Sequence, residues 1–277
     1  MRWFHFILSH SIFIAFCALA LCYQTFILLQ VPHNPFVYAL VFFSTLCSYN
    51  FYWLLSKFSF SKQKLSTTFL TNNITYILLG AAAAVGMVCA LYQLPDSFLY
   101  VLPAVAFTIL YSLPLWPFNW AISLRRAGVF KTLLLAFTWA YVTVVIPAAP
   151  VLYSNTSHVI ALLLARFFFV GMLCAIFDRR DAAVDKIRGL HSLATDAGKR
   201  TLSAIMIISF IIYMASGIFV RMQFADNAQL IAFFITGISV AAVYLLSLKK
   251  QGYLFYYFVV DGMMLFSAAA SFIATLF

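Results

Sequence analysis

Residues 158–177 read His158-Val-Ile-Ala-Leu-Leu-Leu-Ala-Arg166-Phe-Phe-Phe-Val-Gly-Met-Leu-Cys-Ala-Ile-Phe177, and Asp178-Arg179-Arg180-Asp181 follow directly. A helix of about 20 apolar residues crosses roughly 30 Å of hydrocarbon. This run has that length and breaks abruptly into charge at one end. A barrel strand would be shorter and would alternate in polarity. The stretch therefore reads as one membrane-spanning helix with a charged loop behind it.

The same pattern recurs on either side. Nine apolar runs cover 5–28, 35–55, 72–92, 96–115, 131–152, 158–177, 201–220, 228–248 and 253–275. They predict an all-α fold: a polytopic membrane helical bundle of about nine transmembrane helices in one domain, 1–277. Composition agrees. The chain of 277 residues is 65% apolar and 9% charged, against about 45–50% and 25% for soluble domains. A soluble enzyme, a disordered tail and a collagenous chain are excluded. The first run is read as a retained span: Leu21 stands before Cys22 where lipoprotein processing needs a small residue, and no A-x-A site follows. Cys17, Cys22, Cys47, Cys89 and Cys174 lie inside apolar runs without a CxxC pair. They read as packing residues rather than as a disulfide framework or zinc site.

The net charge of +10 is explained by where the cations fall. Arg2, Lys57, Lys62, Lys64, Arg125, Arg126, Lys131, Arg179, Arg180, Lys186, Arg188, Lys199, Arg200, Lys249 and Lys250 all lie at the N-terminus or after even-numbered spans. Arg166 and Arg221 are the exceptions. The positive-inside rule then puts the N-terminus in the cytoplasm and Phe277 on the opposite side, with a bacterial inner membrane as the expected location. No basic helix with interleaved aromatics argues for nucleic acid. Within the third span, Gly80-Ala-Ala-Ala-Ala-Val-Gly86 supplies small residues four apart, a pattern for close helix packing in lipid.

There is no Glu, and the acids are Asp96, Asp178, Asp181, Asp185, Asp196, Asp226 and Asp261. Asp178, Asp181 and Asp185 stand at offsets of three and seven, one face of a helix. Clustered carboxylates repel one another. A divalent cation can offset this, and Mg2+ takes a few carboxylates together with substrate phosphates. Alternatively, Arg179, Arg180, Lys186 and Arg188 neutralise a solvated loop.

The segment from Asp178 to Gly198 resembles the second aspartate-rich motif of the UbiA family of intramembrane prenyltransferases, D-x-x-D-x-x-x-D followed by two glycines. Gly189 and Gly198 fit, and His191-Ser192-Leu193 is a conservative version of the middle. Tyr111-Ser112 resembles the family's Tyr-Ser element, and nine helices with cytoplasmic even-numbered loops match its topology. The resemblance implies a UbiA-like transferase that moves an isoprenyl group from a prenyl diphosphate to an aromatic or other lipophilic acceptor, assisted by Mg2+. It implies Asp178, Asp181 and Asp185 as metal ligands, Arg126, Lys131 and Lys57 as diphosphate contacts, and Tyr111, Ser112 and Asn50 as catalytic residues.

The family's first motif is missing. It reads N-D-x-x-x-D, whereas this chain has Asn50-Phe51-Tyr52-Trp53-Leu54-Leu55, so that only the asparagine remains. Three readings follow: a variant enzyme in which Lys57, Lys62 or Lys64 replaces the lost metal charge; a non-catalytic relative that binds an isoprenoid or membrane lipid; or an unrelated use of the triad. A transporter would require broken helices and polar groups near the membrane centre, for which Arg166 and Asp261 are the candidates. These two could pair with each other, or Asp261 could line the cavity while Arg166 snorkels outward. Trp116, Trp120, Tyr52 and Trp53 sit at span ends and read as an interfacial belt.

The charge pattern makes a topological prediction. A reporter fused after Lys250 should be active only in its cytoplasmic form, and one fused after Phe277 only in its external form. The reverse pattern would invert the orientation.

Overall fold

The apolar runs are realised as helices in the described part of the chain. The computed structural model describes residues 2–60, 67–113, 128–188, 193–224 and 227–277. Its helices are α1 (Arg2–Ser9), α2 (Ile12–Leu28), α3 (Pro35–Phe60), α4 (Thr67–Asn72), α5 (Ile74–Tyr92), α6 (Phe98–Ser112), α7 (Gly128–Ala140), α8 (Thr156–Arg188), α9 (Leu193–Phe224), α10 (Asn227–Ser247) and α11 (Asp261–Ala274). Eight helical segments among the described residues are long and apolar enough to cross a membrane. A ninth results if α1 and α2 are taken as one broken span. The protein is an all-α polytopic helical bundle.

The expected first span is not one helix. α1 and α2 meet at 66°, and Ser11 between them has φ 64. The cause is local: Ser9-His10-Ser11 puts three polar side chains in succession, and such side chains offer the backbone alternatives to the helix. Ser9 Oγ donates to Phe6 C=O at 3.2 Å. The His10 ring stacks on Phe6 at 4.1 Å and on Tyr76 at 4.5 Å.

The chain divides into two compact units. One holds residues Met1–Leu19 and Asn34–Arg125; the other holds Ala20–His33 and Arg126–Phe277. In the first, α3 packs on α5 around Ala15, Leu46 and Ala83, flanked by Phe42 and Phe43. The small-residue stretch of α5 serves this packing. A Cβ at Gly86 would lie 2.7 Å from the Phe43 ring, and one at Gly80 would lie 3.7 Å from Asn50 Cβ.

In the second unit, α8 is the central helix and packs against α7, α9 and α10. Leu162, Ala165, Phe169, Met172 and Ile176 are almost fully buried, and their spacing of three and four is the helical stripe expected of a core face. Ile160 and Leu164 on the same helix are exposed, as lipid-facing residues are. Two helices widen into π turns, Tyr141–Val145 after α7 and Phe255–Val260 before α11. α9 is interrupted at Gly198, whose φ of 71 and ψ of 168 a side chain would strain. Its membrane-spanning part is Arg200–Phe219. Cys17, Cys22 and Cys174 are buried packing residues as expected, while Cys89 is exposed.

The α3–α5 contact can be tested directly. Gly86→Leu should lower the thermal midpoint of the purified chain, since overpacking costs about 1–3 kcal/mol, whereas Gly80→Ala should leave it nearly unchanged. Equal tolerance at both positions would show that the two helices do not meet at Phe43.

Candidate functional site

A helix of 33 residues is about 50 Å long and overruns the hydrocarbon. α8 is long and apolar enough to cross a membrane from Thr156 to Ala182 and continues as helix through its charged end to Arg188. Asp178, Asp181 and Asp185 therefore occupy successive turns of one helix. The side chain of Asp185 lies outside the described atoms.

The two described carboxylates have protein partners. Asp178 Oδ2 accepts from Thr132 Oγ1 at 2.6 Å and from the Leu193 N–H at 3.2 Å. The first contact ties α8 to α7. The second caps the first turn of α9, where unpaired N–H groups and the helix dipole favour an anion. Asp181 is held in a bidentate ion pair by its neighbour. Arg180 Nε donates to Oδ1 and Nη2 to Oδ2, each at 2.7 Å, and the two side chains are 24% and 44% exposed. Paired N–H donors of this kind are the strong form of a charge-assisted hydrogen bond.

Arg180 is itself enclosed by rings. Its guanidinium lies 4.9 Å from Phe177, 4.9 Å from Tyr256 and 5.0 Å from Tyr257, in reach of cation–π attraction. Tyr256 and Tyr257 belong to the π turn before α11. Tyr257 stacks on Tyr253 at 4.3 Å, and Asp261 lies in the electrostatic range of Arg180. The ends of α7, α8, α9 and α11 thus meet at one polar cluster. Lys131 precedes Thr132 on the first turn of α7. Arg126 lies outside the described residues, as do Lys62, Lys64, Trp116, Trp120, Gly189, His191 and Ser192.

The donor chemistry of α8 suits Mg2+, an oxygen-seeking ion that binds through one or two carboxylates plus phosphates. No group of three metal-ligating side chains converges among the described residues. As the side chains stand, an ion on this face must draw Asp181 away from Arg180.

The other expected site residues lie in the first unit. Asn50 is fully buried. Its Nδ2 donates to His10 C=O at 3.1 Å and to Leu46 C=O at 2.8 Å. It satisfies the carbonyl exposed by the α1–α2 break, and its Oδ1 is enclosed without a partner. In this arrangement Asn50 pins the elbow. Lys57 Nζ donates to Asn73 Oδ1 at 3.0 Å and sits 4.0 Å over the Tyr76 ring. Tyr111 stacks on Tyr52 at 5.1 Å, and buried Ser112 donates to Ile109 C=O at 2.8 Å.

The Arg166–Asp261 alternatives are also resolved by geometry. Arg166 is 3% exposed and does not snorkel. Its Nη2 donates to Leu21 C=O at 3.3 Å and reaches Thr25 Oγ1 at 3.5 Å. The guanidinium turns to α2, while Asp261 lies near Arg180.

Sequence spacing gave no signal for Thr132, Phe177, Tyr256 or Tyr257, because their contribution depends on which helix ends meet. Compared with known proteins, the chain matches no family model, no curated protein and no solved structure.

Thr132→Val should destabilise the protein by about 1.5–3 kcal/mol, the usual loss for a hydrogen bond to a charged group. Thr132→Ser should restore most of it. An unchanged unfolding midpoint in the valine variant would remove the α7–α8 tie.

Proposed function

We propose that this protein is a divergent UbiA-like intramembrane prenyltransferase that uses the charged end of α8 to hold a prenyl diphosphate for transfer to a lipophilic acceptor. The observation that carries the reading is the unbroken course of α8 from Thr156 to Arg188, which sets Asp178, Asp181 and Asp185 along one face at the membrane boundary. Asp178 is fixed by Thr132 and Leu193, so it is the rigid member of the set. Asp181 is the exchangeable member: its partner Arg180 is part-exposed and, once released, offers its N–H fork to a diphosphate oxygen. Lys131 and Arg126 supply further cationic contacts on this reading. A Mg2+ ion held by the aspartates would neutralise the charge that develops on the departing diphosphate. The orientation that goes with this function has the N-terminus and the end of α8 in the cytoplasm, in a bacterial inner membrane.

A second reading, a non-catalytic isoprenoid-binding protein of the same fold, is favoured by one feature. The Arg180–Asp181 pair and the buried Asn50 leave a quiescent acidic face and no first acidic cluster.

One assay separates the two. The purified chain in lipid nanodiscs, given a prenyl diphosphate and an aromatic acceptor, should release diphosphate only with Mg2+. Asp178→Asn and Asp181→Asn should each lower that rate at least tenfold. Full activity in both variants would dismiss the aspartates from the reaction. Retention of the prenyl diphosphate without turnover across a range of acceptors would establish the binding protein instead.

A further inference from the structure

Arg166 lies ten residues after Thr156 at the start of its span, about 15 Å along the helix and so near the middle of the hydrocarbon. An arginine keeps its charge in proteins. An ionised group at this depth costs several kcal/mol after relaxation unless it is paired. Its hydrogen-bond partners are the Leu21 carbonyl and the Thr25 hydroxyl, both neutral. The titratable groups that face it are Cys22 and Tyr213, which carry no charge at pH 7 by their ordinary values. Among the described residues no carboxylate pairs with it. Its Nη1 is buried and has no hydrogen-bond partner.

Arg166 lines a small cavity with Gln24, Tyr213 and Ser267, walled by apolar residues such as Leu162 and Phe169. The space takes a water-sized sphere and little more. Gln24 is fixed there: its amide nitrogen Nε2 donates to Ser267 C=O and Ser267 Oγ at 3.0 Å and to Ser271 Oγ at 2.7 Å. The site thus combines an arginine with an unpaired buried donor, a fixed polar wall and room for little more than one water-sized sphere.

We propose that this cavity binds a single small monovalent anion, chloride in the cell, as the buried counter-ion of Arg166. A neutral water would satisfy Nη1 but leave the charge unbalanced. A monatomic anion does both, with the lining side chains giving way slightly because chloride has a larger radius than water. The anion becomes part of the bundle core, linking α2, α8, α9 and α11 through the residues that line its cavity.

The experiment uses the full chain in detergent or nanodiscs. The thermal midpoint is followed as chloride replaces gluconate at constant ionic strength. The unaltered protein should gain several degrees with saturation, and Arg166→Gln should show no chloride dependence. Because loss of folding in that variant would give the same result, crystals of the unaltered chain grown in bromide supply an independent reading: an anomalous peak should lie beside Arg166. No saturating dependence, or a dependence without a bromide peak in this cavity, would overturn the proposal.

Discussion

Hydrocarbon offers no hydrogen bonds, so every polar group that enters it must find its partner within the protein. This constraint accounts for the polar contacts inside each unit. In the second unit, Thr25 Oγ1 donates to the Thr143 carbonyl at 2.7 Å, inside the π turn where the regular helical ladder is widened. Gln229 Nε2 reaches the Ser271 carbonyl at 2.8 Å, and Gln24 holds the other side of the same helix through Ser267 and Ser271. In the first unit, Asn50 closes the carbonyl left by the break at His10. These side chains join helices at places where apolar packing has little preference of its own, since lipid tails solvate a leucine as well as a neighbouring helix does. Packing supplies the rest through small residues, as at Gly86 against Phe43.

The spans themselves were legible in the sequence because their signal is additive: twenty apolar residues outweigh any local detail. The acidic face was legible for a related reason, since offsets of three and seven have meaning only on a helix, and α8 is helical there. What the sequence did not disclose is set by contacts between distant positions. The break between α1 and α2 depends on Ser9, His10 and Ser11 acting together, and is stabilised by Asn50 and Tyr76 from other helices. A hydropathy window averages across it. The partner of Arg166 was equally hidden. Pairing it with Asp261 satisfied charge arithmetic, but a carbonyl of α2 lay within reach and the carboxylate belonged to the neighbourhood of Arg180. The role of Asn50 shows the same limit from the other side. Its amide nitrogen bonds the His10 and Leu46 carbonyls, a use that its position in the sequence does not announce.

At the end of α8 the two aspartates are in different situations, and the difference bears on what the site can do. Asp178 accepts from a hydroxyl and from the first N–H of α9, so withdrawing it breaks a contact between α7 and α8 and uncaps a helix. Asp181 is bound to its own sequence neighbour, and withdrawing it disturbs no helix packing. A ligand that competes for this face therefore meets one ligand group fixed in place and another that can be released. A rigid member gives position and a releasable one gives adjustability, the division of labour on which the proposed function relies.

Arg180 determines the cost of that release. Were it solvated, losing Asp181 would matter little, because exposed ion pairs contribute about 0–1 kcal/mol. Instead three aromatic rings surround the guanidinium, and they hold a cation without neutralising it. The rings contact the guanidinium independently of Asp181, so part of what holds Arg180 in place does not depend on the ion pair. Two of the three come from adjacent residues of the π turn, Tyr256 and Tyr257. A regular α-helix would swing consecutive side chains about 100° apart. Both tyrosines nevertheless reach the same guanidinium, and the widened turn at Phe255–Val260 is where the backbone accommodates this. The irregular stretch of the last span is thus the element that keeps the cationic half of the pair in position.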